Sequence, residues 1–338
     1  MTVSSSFTVT IVLLFLSAHI TSALSLEIPR RKVITTIPAA VTASPILLKP
    51  KPSHASSENS LLAGGDRVPL KTDSPKNGFP LASFGLQIYD DATAYKLTLT
   101  ALEVGYRNFF ASVLARNQRG FARAIRDSAV PREDIYICGT VLSNNVRGFD
   151  AAYKKTQKGC MENMEAFGVG GIDHIDMIML DYPGPDVESI RGQWSAFEKM
   201  KSDGLVDSLA VSNFSAEQLD AFLVNNPDAV SRPTVNQLPY SIAYHPKNML
   251  EYNTQRDILV QSWSPLSRAL PKYKSILASI GKKYGKSAAQ VALRWIVQSG
   301  ASFCMQSQKE SHFKENLEVF DFSLSDQEMV QLTNLAYS

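Results

Sequence analysis

Side chains able to carry chemistry are few and scattered in this chain. Its 338 residues include five histidines and three cysteines. Cys138, Cys160 and Cys304 form no Cys-x-x-Cys pair and keep no metal-site spacing from a histidine, so they read as buried, inert thiols rather than as a disulfide scaffold. His174 precedes the end of an apolar run and His245 lies in a loop beyond Tyr240, which leaves no serine or cysteine nucleophile with an evident imidazole base. Asp181 and Asp186 read as a loop pair without evident partners, so paired-carboxylate chemistry on a glycoside or a metal is not indicated. No G-x-G-x-x-G follows the first strand-like run, and the glycine-rich dinucleotide loop is therefore missing. What remains at the ends of apolar runs are amides, hydroxyls and an indole: Ser212-Asn213, Gln237, and Trp263-Ser264.

These groups need a frame, and the chain supplies a regular one. Apolar runs rich in β-branched or aromatic residues recur at Leu81–Ile88, Tyr106–Phe110, Ile135–Val141, Ile175–Leu180, Leu205–Val211, Thr234–Leu238, Ile258–Trp263 and Ser302–Met305. Between them lie helix-like patterns at Asn117–Asp127, Ala151–Phe167, Val187–Asp203, Ser215–Val224, Pro271–Tyr284, Ser287–Val297, Glu310–Val319 and Ser325–Leu335. Ser215-Ala216-Glu217-Gln218 has the form of a capping box. A punctuated stretch (Val68-Pro69, Asn77-Gly78, Pro80) ahead of the first run suits a hairpin. Strands alternating with helices over roughly 250 residues predict an α/β chain folded as a parallel eight-stranded (β/α)8 TIM barrel. An open doubly wound sheet is the competing arrangement. In the barrel, the chemistry belongs at the C-terminal ends of the strands.

The motifs at those ends narrow the choice. In order, the chain carries Ala101-Leu102-Glu103-Val104-Gly105-Tyr106-Arg107, Asp203-Gly204-Leu205-Val206 leading to Val211-Ser212-Asn213-Phe214, Val235-Asn236-Gln237, Trp263-Ser264-Pro265-Leu266, Lys283-Tyr284-Gly285-Lys286 leading to Gln290-Val291-Ala292-Leu293-Arg294-Trp295, and Lys314-Glu315-Asn316 with Val319-Phe320-Asp321-Phe322. From Pro80 to Leu335 this resembles the aldo-keto reductase family. The resemblance implies the barrel and a nicotinamide dinucleotide, NADP or NAD, bound without a glycine-rich loop. By the same resemblance, Ser212, Asn213 and Gln237 would hold the nicotinamide carboxamide while Trp263 offers its face to the ring. Ser264 and Leu266 would line the pyrophosphate path; Ser307, Glu315 and Asn316 would reach the adenosine end. The 2′-phosphate grip differs, because Gln306 and His312 stand where the resemblance leads one to expect lysine and arginine; Lys309 and Lys314 are the candidates to compensate.

The proton-transfer positions depart further. Family chemistry moves a hydride to a carbonyl carbon while a tyrosine hydroxyl, acidified by a lysine paired with an aspartate, gives up a proton and a histidine orients the carbonyl. The matching positions here are Phe110, Ala115, Thr140 and Asp181, so none of the four groups is kept. Two readings follow. In the first, the chain keeps much of a nicotinamide-dinucleotide cleft but is catalytically impaired, a nucleotide-sensing or partner-binding pseudoenzyme. In the second, it is an NAD(P)H-dependent oxidoreductase of small aldehydes or ketones with a remodelled donor, Tyr182 or Tyr240.

Targeting and charge complete the reading. Residues 1–23 read as a signal peptide, with the apolar run Ile11 to Leu16 ahead of Thr21-Ser22-Ala23. Residues 24–65, with Arg30, Arg31, Lys32, Lys49 and Lys51 against Glu27 and Glu58, read as a transit-peptide-like or disordered segment. Together they resemble the two-part presequence of proteins that pass through the secretory pathway into plastids of secondary origin. The barrel, 66–338, would then be close to neutral, which argues against a nucleic-acid partner driven by bulk charge. After processing, no membrane association is expected.

Overall fold

The computed structural model describes residues 66–70, 78–223 and 231–337. The segments read as signal peptide and transit peptide, 1–23 and 24–65, lie outside the described residues.

Strands β1 (Arg67–Val68) and β2 (Phe79–Pro80) pair antiparallel. The chain then runs β3 (Ala82–Gly85), α1 (Asp91–Val104), β4 (Asn108–Phe110), α2 (Gln118–Asp127), β5 (Tyr136–Val141), α3 (Phe149–Gly168), β6 (Ile175–Asp181), α4 (Val187–Ser202), β7 (Val206–Ser212) and α5 (Ala216–Leu223). It continues with β8 (Val235–Leu238), α6 (Met249–Thr254), β9 (Leu259–Trp263), α7 (Ala269–Tyr284), α8 (Ala288–Gln298), β10 (Ser302–Met305), α9 (Glu310–Leu317) and α10 (Asp326–Asn334). Among the described residues, β3 to β10 are all parallel, and pairing of β10 with both β3 and β9 closes them into an eight-stranded barrel. The open doubly wound sheet is thereby excluded, since such a sheet leaves two unpaired edges.

Each barrel strand is buried on both faces, which is why these strands read as continuous apolar runs without alternation. Outward side chains such as Phe84, Phe109, Ile137, Ile178, Leu209, Val211 and Phe303 pack beneath the helices with Phe121, Phe167, Trp194, Phe197 and Trp295. Inward side chains form a second cluster of Phe110, Tyr136, Cys138, Met177, Met179, Ala210, Val235 and Cys304. Phe79 of β2 closes that cluster from the N-terminal end, edge-on to Tyr136 at 5.0 Å between ring centres. The barrel is therefore packed rather than hollow. All three cysteines are buried and unpaired, and burial pushes the thiols of Cys160 and Cys304 up to about 12.

Helix α1 is the long element that apolar periodicity does not reveal. Its buried stripe consists of Ala94, Thr98, Ala101 and Leu102, too thin and polar to stand out. Its boundaries are nevertheless written in the chain. Asp90 accepts the Thr93 amide at 2.7 Å, and Gly105, at φ 116°, ends the helix in a conformation that side chains with a Cβ rarely adopt. The capping box expected at Ser215 forms in both directions: its amide donates to Gln218 Oε1 at 2.9 Å and its hydroxyl accepts the Gln218 amide at 3.2 Å.

One buried ion pair holds the N-terminal end of the barrel. Asp176, fully buried on β6, accepts from Arg132 Nη2 at 2.9 Å and from the Ile137 amide at 2.8 Å. The same guanidinium donates to the Ile135 and His174 carbonyls. Removing the carboxylate leaves the Ile137 amide without its acceptor and the Arg132 cation without its counter-charge, so Asp176→Ala is expected to lower stability by about 3 kcal/mol. Denaturant titration measures this, and a midpoint within error of wild type would exclude the pair as a clamp.

Candidate functional site

The C-terminal ends of β6 to β9 lie side by side, and their register sets which side chains meet. Asp181 is aligned with Ser212, Ser212 with Gln237, and Gln237 with Gln261. Aligned residues of neighbouring parallel strands share a face, so these four make a polar arc at one level. The arc is knitted together. Gln237 Nε2 donates to Gln261 Oε1 at 2.7 Å, and Asn213 Nδ2 donates to Ser212 Oγ at 2.9 Å. Trp263 Nε1 donates to Asn213 Oδ1 at 3.2 Å, which fixes the indole beside the arc. Gln261 was not singled out by motif; its signal is a polar side chain two residues before Trp263, and therefore on the same face, within an apolar run.

The backbone just beyond these ends is unusual. Tyr182, Asn213 and Ser264 follow β6, β7 and β9 with φ of 68°, 62° and 50°, and Arg116 in the loop after β4 has φ 53°. Left-handed backbone at a residue with a Cβ costs roughly 1–2 kcal/mol, and its concentration on one face of a fold marks a place where side-chain direction has been favoured over local comfort.

The four positions matching the family's proton-transfer set have separate fates. Phe110 is 3% exposed and belongs to the apolar cluster inside the barrel. Ala115 sits half-buried in the loop between β4 and α2. Thr140 is buried at the end of β5, where its hydroxyl accepts the Val113 amide at 3.0 Å and so ties down the loop that carries Ala115. Asp181 alone is ionisable. Burial pushes its carboxyl up to about 6, against the lowering effect of the neighbouring Ser212 hydroxyl.

Of the two tyrosines expected as relocated donors, Tyr240 is excluded. It is buried in the layer between barrel and helices, stacked on Trp295 at 5.2 Å and packed on His245, because its position after β8 turns it outward under α8. Tyr182 stays at the mouth, partly exposed beside Asp181, with burial and the Asp181 charge both pushing its phenol up. The expected Asp181–Asp186 loop pair does not exist as such. Asp186 caps α4, accepting the Ser189 amide at 2.8 Å, and pairs with Arg147 at 2.5 Å.

The remaining expected binding residues follow β9 and β10 in the chain. Ser264 follows Trp263, its carbonyl accepting the Ser267 hydroxyl at 3.0 Å, and Leu266 packs against the helix-side core. Ser307, beyond β10, bonds His312 Nδ1 at 3.1 Å, and the Gln306 side chain donates to that of Gln87. Glu315 accepts the hydroxyl of Ser287, the N-cap of α8, while Asn316 is buried near the Tyr106 hydroxyl. Lys314 pairs with Glu310 at 2.7 Å, so one of the two lysines considered for a 2′-phosphate already has a carboxylate partner. Among the described residues no cluster of histidine, cysteine or carboxylate side chains could hold a metal ion, and no helix is long and apolar enough to cross a membrane.

Known proteins carry the same architecture. Residues 81–336 match the model of the aldo/keto reductase family. The glyoxal reductase of Bacillus subtilis is 30% identical over 262 residues, covering 77% of this chain and 90% of that protein. The 9,11-endoperoxide prostaglandin H2 reductase of Trypanosoma cruzi is 29% identical over 265 residues, covering 77% and 89%. A crystal structure of an aldo/keto reductase from Brucella melitensis superposes with a TM-score of 0.71 at 27% identity, covering 80% of this chain and all of that one. A fold of closed parallel strands, a polar arc at their C-terminal ends and a family match across the whole barrel agree: this chain belongs to the aldo/keto reductase family.

Proposed function

We propose that the mouth of this barrel binds a nicotinamide dinucleotide, NADP or NAD, and that near neutral pH the protein responds to the nucleotide rather than turning over carbonyl compounds. One observation carries the reading: Ser212 and Gln237 of the arc, with Asn213 and Trp263 beside them, are assembled, while Phe110, Ala115 and Thr140 stand where a carboxylate, a phenol and an ammonium would be needed. The donor set suits the group. A carboxamide needs paired donors and acceptors, which a hydroxyl and two amides supply, and a flat ring gains from a fixed aromatic neighbour. When bound, the reduced nicotinamide supplies a hydride. The chain's part is to hold it: Ser212 and Asn213 orient the carboxamide, Gln237 is braced by Gln261, and Trp263 is kept in place by Asn213. Ser264 and Leu266 line the path toward Ser307, Glu315 and Asn316 at the adenosine end.

Without a phenol acidified by an ammonium, the family's usual proton transfer is lost, a contribution of roughly 10²–10⁴ in rate. A second reading, a reductase of small aldehydes and ketones with a remodelled donor, is favoured by Asp181, whose raised carboxyl ends the arc next to Ser212. For the presequence we propose entry into the secretory pathway and delivery to a plastid of secondary origin; a reporter fused to residues 1–65 that stays diffuse in the cytosol would exclude it.

Two measurements check the site. Trp194 and Trp295 are fully buried, whereas Trp263 is partly exposed, so quenching on ligand binding reports on Trp263. Titrating the full chain with NADPH and NADH is expected to quench fluorescence in wild type and not in Trp263→Phe, with no turnover of common aldehydes at pH 7.5. Absence of quenching would defeat the binding reading, and steady turnover at that pH would favour the reductase instead. Second, Asn213 is held at positive φ and links Ser212 to Trp263, so Asn213→Gly is expected to cost about 1 kcal/mol for the lost bonds. Asn213→Ala should cost about 1 kcal/mol more, for a Cβ in left-handed backbone. Equal unfolding midpoints for the two variants would remove backbone strain from the account.

A further inference from the structure

We propose that Asp181 is the proton donor of a hydride-transfer reaction at this mouth, making the protein a carbonyl reductase that works only when that carboxyl carries its proton. The inference rests on the dinucleotide-binding reading above and deepens the remodelled-donor alternative.

The geometry points to Asp181 because of what surrounds it. It ends β6 in register with Ser212 of β7, the residue that begins the arc proposed to hold the nicotinamide carboxamide. A group one strand from that carboxamide is within reach of a carbonyl lying over the ring. Behind it are Met179 on its own strand, aligned with Ala210 and Thr140, and the apolar cluster that includes Phe110. Among the described residues no cation acts on Asp181 to hold it ionised. The titratable groups that face it are Tyr182 on its own chain segment and Cys138 on β5, both neutral with their protons held more tightly than usual, and Ser212 on β7 adds a hydroxyl. A carboxyl so placed is pushed up to about 6, and the neutral acid is the form able to donate a hydrogen bond to a carbonyl oxygen.

The step balances. The carbonyl carbon accepts a hydride, with its two electrons, from the reduced dinucleotide. The C=O π bond breaks, its electrons go to oxygen, and that oxygen takes the proton of Asp181. The products are an alcohol, the oxidised dinucleotide and an Asp181 carboxylate, which solvent reprotonates through the partly exposed mouth. An ionised Asp181 has the opposite effect, since a negative charge beside a developing alkoxide opposes it. Near pH 7.5 the carboxylate form dominates, so the same residue accounts for the low activity expected there.

The test uses the full chain with 4-nitrobenzaldehyde as probe and NADPH or NADH as reductant, followed from pH 5.5 to 8.5 and corrected for acid decay of the reductant. Turnover is expected to be flat below pH 6 and to fall about tenfold per unit well above it, because the donor is the protonated form. Asp181→Asn should lose at least ~100-fold at pH 5.5 while its dinucleotide titration by Trp263 quenching stays within about threefold of wild type. Asp181→Glu should restore part of the acid-side activity. The folded state gives an independent readout. A carboxyl raised on folding costs stability from its ordinary value of 3.8 upward and in full only above about 6, so Asp181→Asn should raise Tm most at pH 8, less at pH 5, and leave it unchanged near pH 3. Quenching without turnover at pH 5.5 would overturn the donor and leave the binding reading standing; no quenching would defeat both. Equal activity in Asp181→Asn, or a loss in Tyr182→Phe instead, would also overturn it.

Discussion

Closure of the parallel barrel is the constraint on which the site depends. Once β10 pairs with both β9 and β3, the level of every strand relative to its neighbours is set, and a slip of one residue would turn each inward side chain out. Asp181, Ser212, Gln237 and Gln261 come from four strands separated by helices and loops, and only this register brings them to one level. Their mutual hydrogen bonds follow from the alignment rather than producing it, since each bond adds only about 1 kcal/mol net while burial of the strands supplies the larger driving force.

The interior beneath the arc determines its electrostatics. Phe110, Met177, Met179, Ala210 and Val235 fill the barrel with hydrocarbon and sulfur, and Phe79 seals the far end. An aspartate at position 110 would be an anion surrounded by those groups, which requires a nearby cation, and Thr140 in place of an ammonium removes that cation. Phe110 and Thr140 are thus compatible neighbours in an uncharged interior, and the carboxyl at Asp181, bordering that apolar medium, holds its proton more tightly. The phenyl ring of Phe110 inside the barrel and the raised carboxyl of Asp181 at its mouth share one physical setting, an apolar interior.

Strain at the mouth belongs to the same pattern. Tyr182, Asn213 and Ser264 leave their strands through left-handed backbone. At Asn213 the result is visible, because the turned side chain reaches both Ser212 and Trp263. The packed barrel supports these conformations, having far more buried contact than the three turns forfeit.

Most of the fold was legible in the chain itself. All eight barrel strands and, apart from α6, the helices from Asn117 onward coincide with apolar runs and 3.6-residue patterns, because strands buried on both faces and helices buried on one must carry those patterns to exclude water. Ser212 and Gln237 were legible through motif resemblance, and Gln261 only as a polar residue in step with Trp263, since a lone polar side chain in a buried strand does not announce which neighbour it meets. Helix α1 escaped for want of an apolar stripe, and α6 because it is short. What tertiary structure decided was direction and environment. Tyr240 and Tyr182 are equally plausible as sequence, yet one is stacked under a helix and the other stands at the mouth. Asp181 and Asp186 are near neighbours in the chain, yet one is left facing an apolar barrel and the other caps a helix against an arginine. The acidity of a side chain depends on the dielectric and the charges within a few ångströms of it, and those are assembled from strands far apart in sequence, so only the closed barrel could settle them.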